Sequence, residues 1–201
     1  MTTPAFDTAL TRHARIEVPI ICGAMYPCSN WELVAAASRA GGIGIVQPIS
    51  LVYAHKGDFR ESLKKINAAA GGRPVGMNVL TEASSKIYLD RMSNWLDIAL
   101  EEGVRYFVSS LGNPKWIVDR VRPLGGIVYH DVTERKWAEK ARDAGVHGLI
   151  AVNNRAGGHA GAKGERELLD ELGPLGLPVV CAGGIGDEAG FVRTLQLGYA
   201  G

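Results

Sequence analysis

The sequence predicts an α/β protein of the (β/α)8 TIM-barrel class, with about seven β/α units and the eighth strand missing. Three observations predict it. Short β-branched runs alternate with helical stretches along the whole chain, as right-handed crossovers between parallel strands require. Most runs are continuously apolar, which suits strands covered on both faces. Polar or glycine residues gather at the C-terminal ends of many runs: Gln47, Asn78, Ser109 and Ser110, His130 and Asp131, Asn153 and Asn154, Gly183 and Gly184. An open sheet offers its ligand one switch point, whereas a barrel turns every strand end toward one mouth. Residues 1–201 form one domain in this reading, with no linker or low-complexity segment.

The expected strands are Val18–Met25, Gly42–Pro48, Pro74–Leu80, Tyr106–Leu111, Gly126–Val132, Gly148–Asn153 and Pro178–Gly184. Helices fall between them. Ser29 with Glu32, and Asp131 with Glu134, have the spacing of capping boxes. Asn113-Pro114 reads as an N-cap with a first-turn proline. Buried helical faces are expected at Phe59, Leu63 and Ile66, at Tyr88, Met92, Trp95 and Ala99, and at Trp137, Ala141 and Ala144. Gly41, Gly103, Gly145 and Gly198 sit where helices should stop in a left-handed residue. Gly71-Gly72-Arg73-Pro74 is a turn into the third strand. The last residues, 197–201, stop where an eighth strand is due, so a C-terminal truncation is expected, and open sheet edges invite self-association into a homo-oligomer.

Composition removes several function classes. The formal charge is +1 and no basic block exceeds two residues, which argues against nucleic acid as a partner. Residues 1–15 contain no apolar signal core, and no run is long enough to span a bilayer, so no membrane association and a cytoplasmic location are expected. Cys22, Cys28 and Cys181 form no CxxC pair and read as buried free thiols, with no metal site.

Two loops carry candidate chemistry. Ala156-Gly157-Gly158-His159-Ala160-Gly161 follows the sixth strand. Gly157 and Gly158 let backbone approach a planar ligand, and His159 on the catalytic rim is of a residue type suited to proton abstraction. Cys181-Ala182-Gly183-Gly184-Ile185-Gly186 ends the seventh strand and leads into a helix, so Gly183 and Gly184 offer half of an anion cradle. Met25 and Asn78 end the first and third strands; a Met there serves either core or ligand, and Asn78 has hydrogen bonds to offer. Among the other histidines, His13 reads as a surface group and His55 as the start of the second helix. His147 reads as part of the N-terminal, stability face, and His130 as a second candidate to line the pocket. There is no GxSxG elbow, and no GxGxxG follows the first strand.

These residues resemble a known family. PIICGAM at 19–25, AGGIG at 40–44, GMN at 76–78, AGGHAG at 156–161 and VVCAGGIG at 179–186 are similar, in order, to nitronate monooxygenases, formerly called 2-nitropropane dioxygenases. The two glycine loops are shared with FMN-dependent enoyl reductases of fatty-acid synthesis. The resemblance implies FMN across the mouth. Met25 and Asn78 would lie near its ring, Gly157 and Gly158 beside it, and Gly183 and Gly184 in half of its phosphate cup. The other half, a Gly-Thr motif after strand eight, lies beyond this chain. His159 would be the catalytic residue. The implied reaction turns a nitroalkane or nitronate, with O₂, into a carbonyl compound and nitrite. The alternatives are an FMN-dependent enoyl-thioester reductase and an inactive barrel without flavin. A phosphate-site barrel with a cysteine nucleophile is disfavoured, because the loop after strand six has no cysteine.

Overall fold

A computed structural model describes residues 6–81 and 85–201. Residues 1–5 of the N-terminal stretch therefore lie outside the described residues. The fold is a curled parallel sheet, ordered β1-β2-β3-β4-β5-β6-β7, with a helix after each strand. The strands are β1 Ile21–Cys22, β2 Ile43–Val46, β3 Val75–Leu80, β4 Tyr106–Ser110, β5 Ile127–Val132, β6 Gly148–Val152 and β7 Val179–Ala182. The helices are α1 Ala9–Ala14, α2 Trp31–Arg39, α3 Phe59–Ala69, α4 Lys86–Glu101, α5 Lys115–Val121, α6 Arg135–Asp143, α7 Glu165–Leu172 and α8 Glu188–Leu197. β1 is much shorter than the predicted Val18–Met25, because Pro19 has no N–H to donate and the chain leaves the ladder at Gly23.

Alternation along each strand sends one set of side chains outward to the helices and the other into the barrel. Val46, Met77, Val79, Phe107, Val128, Leu149 and Val179 pack with α3, α4, α5 and α7. Ile43, Ile45, Tyr106, Val108, Tyr129, Ile150 and Val180 fill the interior, where Leu10, Ala14 and Ile16 of the N-terminal segment meet them. α1 thus plugs the N-terminal end of the barrel. The last two residues run beside β7: Ala200 N–H donates to Val179 O at 2.8 Å and Cys181 N–H to Gly201 O at 2.9 Å. The start of the eighth position is therefore held.

Several local expectations change. Asn30, not Ser29, caps α2, its Oδ1 accepting from Leu33 N at 2.8 Å. Ser29 Oγ instead accepts from Met25 N, also at 2.8 Å. Glu134 sits at the N-cap of α6, and Asp131 remains inside β5. Trp137 is 43% exposed, with Lys136 and Lys140 over its ring; Ala138 and Ala141 form the buried face instead. His55 lies between a π-helical turn, Ser50–Ala54, and α3. His13 is half-buried rather than on the surface, its Nδ1 3.0 Å from Tyr129 Oη inside the barrel. His147 behaves as expected, accepting from Val128 N at the N-terminal end. Cys28 is exposed and Cys22 half-buried, against the expectation of three buried thiols; Cys181 is buried as expected. Among the described residues, no helix is long and apolar enough to cross a membrane.

Candidate active site

The C-terminal ends of β2 to β5 present one inward-facing polar residue each. Continuing the alternation past Ile43 and Ile45 places Gln47 inward, and the register Val46↔Met77 sets it beside Asn78. On β4 and β5 the same face ends in Ser110 and Asp131. These residues touch: Ser110 Oγ lies 2.6 Å from Asp131 Oδ2 and 3.5 Å from Asn78 Oδ1. Gln47, Asn78, Ser110 and Asp131 therefore form a polar arc. Beyond it, Val152 and Ala182 carry the same inner face across β6 and β7 as an apolar step.

Two members of the arc are chemically unusual. Gln47 is 6% exposed and its Oε1 has no hydrogen-bond partner. A buried, unpaired amide oxygen costs about 1–3 kcal/mol, so it marks a place where a donor is expected. Asp131 is half-buried, and desolvation raises its carboxyl to about 6, against the opposing pull of the Ser110 hydroxyl. The spacing Asp131–Glu134 predicts a capping role for Asp131. Its value as an inward carboxyl needs the strand boundary, which sequence spacing left open.

The loops after β6 and β7 interlock on the other side of the mouth. Asn153 Nδ2 donates to Gly183 O at 3.0 Å, its Oδ1 accepts from Arg155 N at 2.8 Å, and its backbone N–H donates to Ala182 O. Arg155 reaches across to donate to Gly184 O. Gly183 and Gly184 have φ of 125° and 73°, conformations that favour glycine. A Cβ on Gly183 would lie 2.2 Å from Asn153 Oδ1, and one on Gly184 2.1 Å from Arg155 Nε. The result is a side-chain-free cradle beside a guanidinium and close to the N-terminus of α8, where the Asp187 carboxylate caps Gly190 N. That chemistry fits a phosphate.

His159 is exposed on the β6 loop and hydrogen-bonds to none of the described residues. Gly157 and Gly158 are exposed beside it, with open space where their Cβ atoms would be. The loop is closed at its base by Asn154 N–H on Lys163 O at 2.8 Å. It crosses the end of β5, because a Cβ on Gly161 would meet Val152 O at 2.6 Å and Thr133 Cβ at 3.3 Å. Met25 lies on the rim beyond β1, 44% exposed, its carbonyl accepting from Ser50 Oγ at 3.2 Å. Asn78 is buried in the arc. His130 is not in the mouth. It shares the outward face with Ser109, whose Oγ is 2.8 Å from His130 Nδ1, and burial lowers its pKa to about 4.

A cavity of about 420 Å³ opens at the opposite, N-terminal end, lined among others by Arg12, His13, Arg73 and Arg105. It shares no residue with the arc or the cradle.

The residues present fit FMN: the unpaired Gln47 Oε1 would accept from a donor on a bound ring, and the Gly183–Gly184 cradle would suit a phosphate.

Comparison with known proteins bears on family and fold. A nitronate monooxygenase of Pseudomonas aeruginosa is 29% identical over 94% of this chain and 65% of its own length. The (3aS,4S,5R,7aS)-5-hydroxy-7a-methyl-1-oxo-octahydro-1H-indene-4-carboxyl-CoA dehydrogenase of Mycobacterium tuberculosis is 27% identical over 96% of this chain and 53% of its own. The structure of FabK from Thermotoga maritima superposes with a TM-score of 0.80 at 26% identity, over 98% of this chain and 60% of that one. The chain thus spans between about half and two thirds of the length of these relatives. The sequence pattern of the nitronate monooxygenase family matches residues 7–201. By that match over nearly its whole length, the chain belongs to the nitronate monooxygenase family.

Proposed function

We propose that this chain forms the flavin-holding barrel of an FMN-dependent oxidoreductase that converts nitronates or nitroalkanes, with O₂, into carbonyl compounds and nitrite. The observation that carries the reading is the buried, unpaired Gln47 Oε1 at the end of β2, together with the Gly183–Gly184 cradle after β7. When bound, FMN supplies the electron-accepting chemistry. Gln47 and Asn78 would hold the polar edge of the ring, and Gly183, Gly184 and Arg155 the phosphate. Met25, Gly157 and Gly158 would lie beside the ring. His159 meets the substrate, either taking its proton or holding its anionic form. Val152 and Ala182 keep the centre of the mouth apolar, which excludes water and strengthens each polar contact.

The test is a visible spectrum of the purified chain with added FMN, together with nitrite release from nitroethane. Bound flavin absorbing at roughly 450 nm is expected. His159→Asn should retain that absorbance and lose most turnover of neutral nitroethane. Unchanged turnover at neutral pH would remove the role of His159. Protein that stays colourless would remove the flavin reading.

A second reading, redox chemistry beside the carbonyl of an acyl thioester, is favoured by the similarity to the carboxyl-CoA dehydrogenase of Mycobacterium tuberculosis. Enoyl-thioester-dependent oxidation of NAD(P)H without nitrite release would select a reductase of that kind.

A further inference from the structure

We propose that Asn153 is the positioning residue that makes this chain select a phosphorylated flavin over the unphosphorylated one, by holding Gly183 and Arg155 ready for the phosphate. The inference rests on the flavin reading above and deepens it at the phosphate end.

Asn153 directly follows β6 and is 1% exposed, so solvent does not compete for its hydrogen bonds. Its side chain ties two loops together. Nδ2 donates to Gly183 O at 3.0 Å and to Cys181 Sγ at 3.6 Å. Oδ1 accepts from Arg155 N at 2.8 Å. The main chain adds to the tie: Asn153 O accepts from Ala156 N at 3.2 Å. One buried amide thus reaches both parts of the anion-receiving structure.

On the β7 side it fixes a peptide that is otherwise free to turn. Glycine has the widest backbone freedom, and Gly183 and Gly184 follow one another, so their conformation needs a restraint from outside. Asn153 supplies it by holding the Gly183 carbonyl. In a planar trans peptide the next N–H points the opposite way, so this bond turns Gly184 N–H away from Asn153. That N–H, like the N–H of Ile185, donates to none of the described residues. Free N–H groups of consecutive residues at a glycine turn suit a phosphate oxygen. On the β6 side, Asn153 holds the backbone of Arg155, whose guanidinium donates to Gly184 O. No carboxylate pairs with Arg155 among the described residues. The Asp187 carboxylate occupies the N-cap of α8, its Oδ1 accepting from Gly190 N at 2.7 Å. The positive charge beside the glycines therefore comes from Arg155. None of these contacts involves Gln47 or Asn78, the residues assigned to the ring.

The test is a pair of fluorescence titrations of flavin-free chain, one with FMN and one with riboflavin, which lacks the phosphate. Wild type should bind FMN at least about tenfold more tightly, because charge-assisted bonds to the phosphate are strong. Asn153→Leu keeps the size of the side chain and removes its hydrogen bonds. It should weaken FMN at least about tenfold and riboflavin less than about twofold, so that the preference collapses. Asn153→Ala should give the same collapse, which frees the result from how well Leu is accommodated. Inorganic phosphate should shift the ¹⁵N amide signal of Gly184 in flavin-free wild type and leave it in place in Asn153→Leu. Equal affinity of wild type for the two flavins overturns the inference. So does a folded variant that keeps the preference, or one that loses both flavins in step, since a merely structural residue would act on both. Wild type that binds neither flavin sinks the flavin reading itself, and this inference with it.

Discussion

His130 and Asp131 are neighbours on β5 that face opposite sides of the sheet and bias stability in opposite directions with pH. Burial lowers His130 from 6.5 to about 4, so its neutral form belongs to the fold. Its contribution is present above the unfolded value and is lost as pH falls from 6.5 toward 4. Asp131 is raised from 3.8 to about 6, so its protonated form belongs to the fold. That contribution is present below 3.8 and is lost as pH rises through 6. At 1.36 kcal/mol per pH unit of displacement, each amounts to about 3 kcal/mol. Between pH 4 and 6 the two slopes nearly cancel. Removing either residue therefore unmasks the other. Urea unfolding of wild type and Asp131→Asn from pH 4 to 7 reads this directly. The variant should gain on wild type by about 3 kcal/mol across that range, and its own stability should fall toward acid. His130→Gln should show the opposite trend, losing stability as pH rises toward 6. If the difference between wild type and Asp131→Asn is flat across pH 4 to 7, Asp131 is not desolvated as described.

Two further outcomes follow from the mouth. Gln47→Met removes a buried acceptor without a partner, so flavin-free chain should melt at the same or a higher temperature in scanning calorimetry, a gain of about 1–3 kcal/mol at most. The same variant should bind FMN about tenfold more weakly in a fluorescence-quenching titration, the loss of one hydrogen bond of about 1.4 kcal/mol. Gly184→Ala forces a Cβ into Arg155 at a residue of φ 73°; FMN retention on gel filtration should drop while far-UV circular dichroism stays that of wild type.

The parallel barrel was legible because its signals are repeated. Seven apolar runs, each followed by a helix, leave few other arrangements, and the left-handed glycines at 41, 103, 145 and 198 mark the helix ends as expected. The glycine cradle was legible for a related reason: Gly183 and Gly184 are required by backbone conformation and close approach, which local sequence encodes. Facing was much harder to read. His130 and Asp131 are adjacent polar residues at one strand end, and a shift of one residue exchanges which of them enters the mouth. The sequence names both as polar strand-end residues, with His130 a candidate to line the pocket and Asp131 in the spacing of a cap. The register, Ser109↔His130, puts the histidine outward. Trp137 failed by the same margin, one position from the buried Ala138. Cap residues competed as well: Asn30 follows Ser29 directly, and either side chain can accept a helix N–H.

The polar arc also depends on what lies beneath it. A barrel interior must be filled, and here two aromatic rings fill the layer below the arc. Tyr106 and Tyr129 have centroids 5.3 Å apart, and glycines on the flanking strands make room for them. A Cβ on Gly148 would lie 2.3 Å from the Tyr129 ring, and one on Gly76 3.2 Å from Tyr106 Cδ1. Rings opposite glycines close the space that would otherwise let water run the length of the barrel. The plug at the far end, His13 against the Tyr129 hydroxyl, fixes one ring in place. Asp131 and Gln47 stand above this packed layer: desolvation raises one carboxyl, and one amide oxygen is left without a donor. The tyrosine–glycine packing and the polar arc are therefore one device. A change that shrank the rings would admit water beneath Asp131 and return its carboxyl toward the ordinary range.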